Sequence, residues 1–266
     1  HVARRSGRGA RGGEDPKDEE YSVFCGEYVK FSPALVHRYH HNFYLKTKRA
    51  KARNQVERFY STLFFADISG FTRLSARLTA EQLKYHVNTY FTRMIGVVKR
   101  YGGDIIKFCG DAVMILWPCD KGASTEIKQA NAYLAGLCAL AMLTECGEYD
   151  VGKGKQAVSL RLHCGMGASN LFGYYVGTED RWEYLIAGDV MRQIAESESE
   201  ATHGQTIASP EQWELLKDRF VAERTPKGNW LLLDVKRQLT AVRSFYNGAA
   251  SQASGAGLGG GGGGGD

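Results

Sequence analysis

Two apolar runs separated by three residues set the first limit on the fold. "DIIKF" (104–108) and "AVMILW" (112–117) each read as a short strand, and only Cys109, Gly110 and Asp111 join them. A parallel crossover needs a dozen or more residues, so this pair must close as an antiparallel hairpin. Around it, strand and helix periods alternate. "STLFFADI" (61–68) is a third apolar, aromatic run. Thr79 opens "TAEQ", a capping box in which Gln82 reaches back. Leu83, Val87, Tyr90, Met94, Val97 and Tyr101 follow at steps of three and four, the stripe of an amphipathic helix that Gly102 and Gly103 end. Ile127, Ala130, Leu134, Leu137 and Ala141 mark a second helix. "VSLRLHCGM" alternates apolar residues from Val158 to Met166, as a half-buried strand does. Two further strands, "NLFGYYVG" and "RWEYLI", precede a helix at about 189–201. "QTIAS", a short helix from Pro210 and "NWLLLDV" complete the pattern. The expected fold class is α/β in the α+β sense: a largely antiparallel sheet with helices packed on it.

The rest of the chain is read by charge and composition. Residues 1–13 hold four arginines and no acid, and residues 37–58 hold seven Lys/Arg against Glu57 alone. These two stretches carry +10 of a chain whose net charge is +5, leaving −5 for everything else. A nucleic-acid surface mixes basic residues with aromatics on a folded face, which this distribution does not offer. The expected organisation is therefore a basic and then acidic arm (1–20) and an N-terminal segment with a basic helix (21–58). One domain follows (59–237), then a C-terminal extension (238–266) ending in seven consecutive glycines. With 43% hydrophobic residues a sizeable core is affordable. No stretch approaches the roughly 18–20 apolar residues of a membrane span. The chain starts at His1 without a signal pattern and reads as a fragment of a longer protein. Six cysteines (25, 109, 119, 138, 146, 164) show no CxxC pair and no ligand-like spacing to His. They suggest reduced thiols and a cytoplasmic address, within a larger or organelle-associated parent.

Two acids then stand out. Asp67 ends the apolar run of "FFADISGFT", and Asp111 sits in the hairpin connection. If the first strand lies beside the hairpin, both carboxylates project from one edge of the sheet. Their mutual repulsion is relieved by a divalent cation, and hard Mg2+ takes one or two carboxylates together with substrate phosphates. The Ser-Gly turn offers consecutive backbone N–H groups that can receive a polyphosphate. The plain alternative is that Asp111 is only a turn former.

"FFADISGFT", followed after a helix by "GGDIIKFCGDAVMILW", resembles the metal-binding signature of class III nucleotidyl cyclases. "YVGTEDRWEYLIAGDVM" resembles the later dimer-arm and strand region, so the likeness covers about residues 59–217. It looks closest to the first catalytic half of bicarbonate-responsive soluble adenylyl cyclases. The resemblance implies a class III cyclase fold, with a mostly antiparallel ferredoxin-like sheet, paired with a second like domain. It implies that Asp67, Asp111 and the Ile68 carbonyl hold two Mg2+ ions, with Mn2+ as a substitute. Ser69, Gly70, Phe71 and Thr72 would contact the triphosphate of ATP. The implied reaction forms cyclic AMP and pyrophosphate by two-metal catalysis, one ion activating the ribose 3′-hydroxyl and the other holding the leaving group.

The chain departs from a complete site. The family's transition-state Asn and Arg, contributed by the partner domain, fall here at Arg192 and Glu196, and a glutamate adds negative charge where negative charge develops. The base-recognising position is the apolar Leu185. Lys107 matches a lysine that in the soluble branch holds bicarbonate at a pseudo-site, yet the arginine that partners it there is Ala195 here. Bicarbonate and Ca2+ are the candidate regulators; the alternative for Lys107 is an edge-strand lysine. The reading is thus the metal-holding half of an adenylyl cyclase, inactive alone, with a non-catalytic cyclase-fold scaffold and a guanylyl cyclase half as alternatives. His37, His40 and His41 have helical spacing without a carboxylate or cysteine to join them. Cys109 and Cys164 are expected in the core. Trp182, Tyr174 and Tyr175 suit either a partner surface or the core.

Overall fold

Three of those apolar runs become adjoining strands on one side of a single sheet. The computed structural model describes residues 33–36, 56–152, 157–177 and 182–236. The N-terminal arm, the basic segment up to residue 55, the three clustered histidines and the glycine tail lie outside the described residues. The elements are β1 (Glu57–Ser69), α1 (Phe71–Ser75), α2 (Ala80–Arg100), β2 (Asp104–Cys109), β3 (Ala112–Asp120), α3 (Thr125–Cys146) and β4 (Glu148–Val151). They continue as β5 (Val158–Gly177), β6 (Trp182–Ala187), α4 (Val190–Glu200), β7 (Thr206–Ala208), α5 (Pro210–Leu216), β8 (Phe220–Arg224) and β9 (Trp230–Val235). The sheet order is β2-β3-β1-β5-β7-β9-β8, with β4 and β6 also paired to β5. Every pairing is antiparallel except β5 with β7. The mixed, mostly antiparallel architecture expected from the sequence is therefore the observed one.

Side-chain alternation along β1 sorts its residues between two layers. Phe64, Ala66 and Ile68 enter the larger core with Tyr90, Met94 and Val97 of α2 and Tyr133, Cys138 and Met142 of α3. Leu63 and Phe65 face a smaller cluster with Val190 and Ile194 of α4. Leu35, in a short helical turn, joins this second cluster, and the Ala34 and Leu35 amides donate to the Asp104 carboxylate at 2.9 and 2.6 Å. The segment just ahead of the basic stretch is thereby tied to β2.

Several expectations need correction. β1 starts at Glu57, so Glu57 and Arg58 belong to the strand and not to a basic helix or a segment ending at 58. "VSLRLHCGM" and "NLFGYYVG" form one strand of 20 residues. Its middle, Cys164–Ala168, is buried on both faces, which removes the alternation by which a strand is recognised. β4 and β8 are four and five residues long with one buried residue each, too little to announce themselves. The α3 stripe is only part of the buried side: Leu134 is buried and Leu137 and Ala141 pack on the core, but Ile127 is 41% exposed, and Ala132, Tyr133, Ala135, Cys138, Ala139 and Met142 are buried as well. α3 packs against strand and helix alike, so no single stripe defines its buried side. Cys109 is exposed, whereas Cys164 is fully buried as expected. The capping box of α2 is present, with Gln82 N–H donating to Thr79 Oγ1 (3.3 Å) and Thr79 N–H to Gln82 Oε1 (3.1 Å).

A buried glutamine seats α4. The Gln193 carbonyl accepts from the Ala168 amide and from Ser209 Oγ, both at 2.9 Å, and its amide donates to Asp189 Oδ2 at 2.9 Å. Beneath the helix, Gly165 has no room for a side chain: a Cβ there would lie 2.9 Å from the Glu198 backbone nitrogen. This close approach brings the last turn of α4 against the middle of β5.

Candidate active site

Register decides what gathers at the end of β1. Asp67 pairs with His163 and Ser69 with Arg161 across the β1–β5 ladder. Directly paired residues share a face, so these four side chains leave the sheet on the side that α4 covers. On the other flank the β1–β3 ladder ends at Ala66–Val113. The Gly110-Asp111 connection therefore falls just beyond, beside Asp67 and Ile68. Gly110 adopts φ +70° there, a conformation that costs a residue with a side chain about 1–2 kcal/mol. The connection is two residues long, since Cys109 and Ala112 still pair. β1 does pair with β3, which is the condition on which the sequence reading placed Asp67 and Asp111 together.

Ile68 is fully buried and Phe71 packs against the larger core, while Thr72 is exposed. Gly70 turns the chain at φ +95°. The helix it opens, α1, has only five residues, too few for an extended helix dipole.

Two residues absent from the sequence-derived site stand beside Asp67. His163 Nε2 lies 2.9 Å from Glu198 Oε1 and 3.4 Å from Asp67 Oδ2, and its side chain is only 15% exposed. The ligand atoms of Asp67, His163 and Glu198 all lie within 4.8 Å of one another. Ser69 Oγ stands 3.4 Å from Nδ1 of both His163 and His203. The alternation of "VSLRLHCGM" put His163 on the polar side of its strand, a usable signal. Glu198 sits in the run "ESESE", in which nothing distinguishes one acid from the next; only the seating of α4 selects it.

Burial pushes the Asp67 carboxyl above the ordinary carboxylate range; His163 opposes this, and the negative charges of Asp111 and Glu198 reinforce it. A raised folded-state pKa means that the protonated acid is favoured in the fold. The linked stability is thus complete below the ordinary carboxylate pKa and is lost as pH rises through the raised value. In chelator at pH 7 the ionised Asp67 accordingly weakens the fold. Asp67→Asn is expected to raise Tm there by up to about 2–4 °C, the scale of a 1 kcal/mol change in a domain of this size. The gain should shrink on acidification. A lower Tm at pH 7 would mean that the pair with His163 outweighs burial.

The remaining sequence-derived residues lie elsewhere. Arg192 is held by Asp189 through two hydrogen bonds (2.9 and 3.0 Å) and by Glu196 through a third (2.8 Å), all on the exposed outer side of α4. Glu196 and Glu198 are two residues apart, about 200° around the helix, so one faces solvent while the other reaches the site. Ala195 is exposed on α4, and Lys107 is exposed on the edge strand β2, with β3 and β1 between it and β5. Leu185 is half-buried on β6, paired with Tyr174. The Tyr175 and Tyr184 rings pack 5.1 Å apart on neighbouring strands.

Residues 55–237 match the family described as the adenylate and guanylate cyclase catalytic domain. The chain belongs to that family, the class III cyclases. Adenylate cyclase type 10 of Oryctolagus cuniculus is 26% identical over 197 residues, covering 67% of this chain. The Mus musculus protein of the same name is 27% identical over 183 residues, covering 64%. The chain spans only 12% and 11% of those two relatives. Among solved structures, this cyclase domain resembles the adenylyl cyclase CyaB of P. aeruginosa, with a TM-score of 0.54 and 23% identity, covering 70% of this chain and 98% of that one. It also resembles the monomeric guanylyl cyclase domain of the RhoGC fusion protein from Blastocladiella emersonii (TM-score 0.56, 20% identity, 69% and 100% covered). At these identities the two structures support the class III cyclase fold alone. Among the described residues, no helix of this cyclase domain is long and apolar enough to cross a membrane.

Proposed function

We propose that this cyclase domain is the metal-holding half of an adenylyl cyclase, converting ATP to cyclic AMP and pyrophosphate when a complementary domain closes over it. One observation carries the reading. Asp67 and the Asp111 connection lie at one end of the sheet, and the negative charges of Asp111 and Glu198 add to burial in disfavouring the Asp67 carboxylate. A cluster of this kind, half-buried on a strand end, favours a divalent cation. Its oxygen donors, Asp67, Asp111 and the Ile68 carbonyl, fit Mg2+ and would admit Mn2+. When bound, two such ions supply charge neutralisation for the triphosphate and a lowered pKa for the ribose 3′-hydroxyl.

The chain's own residues do the rest. β1 and the hairpin fix the two carboxylates on rigid elements, which keeps them in place without a reorganisation cost during reaction. The turn from Ser69 to Thr72 presents backbone N–H groups and two hydroxyls to the phosphates. What is missing, at the position where the resemblance puts it, is the arginine that stabilises charge on the transferring phosphate. Arg192 is engaged by Asp189 and Glu196, and Glu196 has the wrong sign. The partner domain must therefore bring that cation, and two copies of this chain could not supply it to each other. The preference for ATP over GTP rests on the names of the curated relatives, adenylate cyclases. Base recognition itself belongs to the partner.

The test is complementation. The purified chain with Mg2+ or Mn2+ should form no measurable cyclic nucleotide. With a cyclase domain carrying Asn and Arg at the positions of Arg192 and Glu196 it should produce cyclic AMP from ATP. Robust output from the chain alone would defeat the half-site reading. Output only from GTP would make it a guanylyl cyclase half, and no output with any partner would favour a scaffold.

A further inference from the structure

We propose that Asp67, His163 and Glu198 form a second metal site, one for a zinc-class ion, that takes Asp67 away from the magnesium-binding role. The proposal rests on the reading of Asp67 as a Mg2+ ligand, because the competition arises from that shared carboxylate. The three ligands come from three elements, β1, β5 and α4, and their relative positions are fixed by the ladder and by the buried seat of α4. Zinc binds imidazole nitrogen and carboxylate oxygen at about 2.0–2.2 Å, and a tetrahedral arrangement then places ligand atoms about 3.3–3.5 Å apart. His163 Nε2 already stands 3.4 Å from Asp67 Oδ2 and 2.9 Å from Glu198 Oε1. All three ligand atoms fall within 4.8 Å, so modest side-chain rotation brings them onto one ion.

The second ring nitrogen is also provided for. Ligating histidines orient themselves by engaging an oxygen with the nitrogen that does not bind metal. Here Nδ1 of His163 lies 3.4 Å from Ser69 Oγ, which leaves Nε2 for the ion. Imidazole in the set separates this site from the all-oxygen donors Asp67, Asp111 and Ile68. Nitrogen ligands suit zinc and its neighbours, whereas Mg2+ prefers oxygen. Two protein carboxylates and one histidine leave a fourth position open. The consequence is a cyclase half in which zinc, by holding Asp67 against α4, raises the Mg2+ concentration needed for nucleotide binding.

Cobalt serves as a visible stand-in for zinc. Co2+ is titrated into the purified chain in excess Mg2+ and followed by visible absorption, with one equivalent of Zn2+ added afterwards. Strong bands of four-coordinate cobalt, removed by zinc, are expected. Losing an outer partner of a metal site costs about 10- to 100-fold in affinity, so losing a direct ligand should cost at least that. His163→Ala and the isosteric Glu198→Gln should each weaken cobalt binding to this extent, while Asp111→Asn should retain it. Circular dichroism confirms that each variant is folded. Unchanged cobalt spectra in His163→Ala would place the ion elsewhere, for instance at His37, His40 and His41, and would overturn the proposal, as would the absence of such bands in the parent chain. Mg2+-dependent binding of an ATP analogue, measured on the same proteins, separates the two readings. Its loss in Asp111→Asn supports the magnesium assignment, and its absence from the parent chain defeats that assignment while the cobalt result stands or falls by itself.

Discussion

With a complementary domain supplied, Asp67→Asn is expected to lower the rate of cyclic AMP formation by at least about 10^2-fold, and Asp111→Asn by a similar factor. Removal of a single group that stabilises developing charge costs about 10^2–10^3 in kcat, and here the substitution removes a full charge from the ligand set. Asparagine preserves the shape and the strand end, so the loss cannot be assigned to misfolding. It does abolish the anionic oxygen that a hard dication requires. Asp67→Asn should moreover leave the metal-free chain no less stable, since burial and two neighbouring carboxylates disfavour its charge. A stabilised but inactive protein is the signature of a residue kept for chemistry at a cost to the fold. The measurement is steady-state turnover at saturating ATP and Mg2+, with thermal denaturation alongside. Activity within a few-fold of the parent in both variants would remove Asp67 and Asp111 from the metal assignment.

Much of this arrangement was legible because it depends on local rules. A connection as short as Cys109–Asp111 permits only a hairpin, and a strand that stops on Asp67 before Ser-Gly announces a turn. Those two facts bring the carboxylates together once β1 is placed beside the hairpin. The partner of His163 and the choice of Glu198 were not legible, for two separate reasons. The partner of a strand residue is set by register, and the pairing of Asp67 with His163 spans nearly a hundred residues of chain that includes two long helices. Glu198 is chosen by the depth at which α4 sits, which depends on the missing side chain of Gly165 and the hydrogen bonds of Gln193. Similarly, β5 hid its length because its middle is buried on both faces. The exposed state of Cys109 follows from its place at the hairpin end.

The second large effect concerns Gly70, where Gly70→Ala should destabilise the chain by about 2–5 kcal/mol. Two independent costs add. Gly70 sits at φ +95°, ψ −6°, where an L residue is strained by about 1–2 kcal/mol. A Cβ there would also lie 2.6 Å from the Ser159 carbonyl oxygen, and overpacking of this kind costs about 1–3 kcal/mol. That carbonyl belongs to the backbone of β5, so no side-chain rotation relieves the contact; either the turn or the strand must move. Both carry the site, because Ser69 and Asp67 precede the turn while Arg161 and His163 follow Ser159. Gly110→Ala supplies the internal control. Gly110 has φ +70°, yet nothing lies within 4 Å of its added Cβ, so only the strain of about 1–2 kcal/mol should appear. Urea denaturation of the two variants separates clash from strain. Of a total stability of about 5–15 kcal/mol, the Gly70 lesion should remove a large share. Equal losses in Gly70→Ala and Gly110→Ala would show that β5 yields freely and that the turn is not held against Ser159 as described.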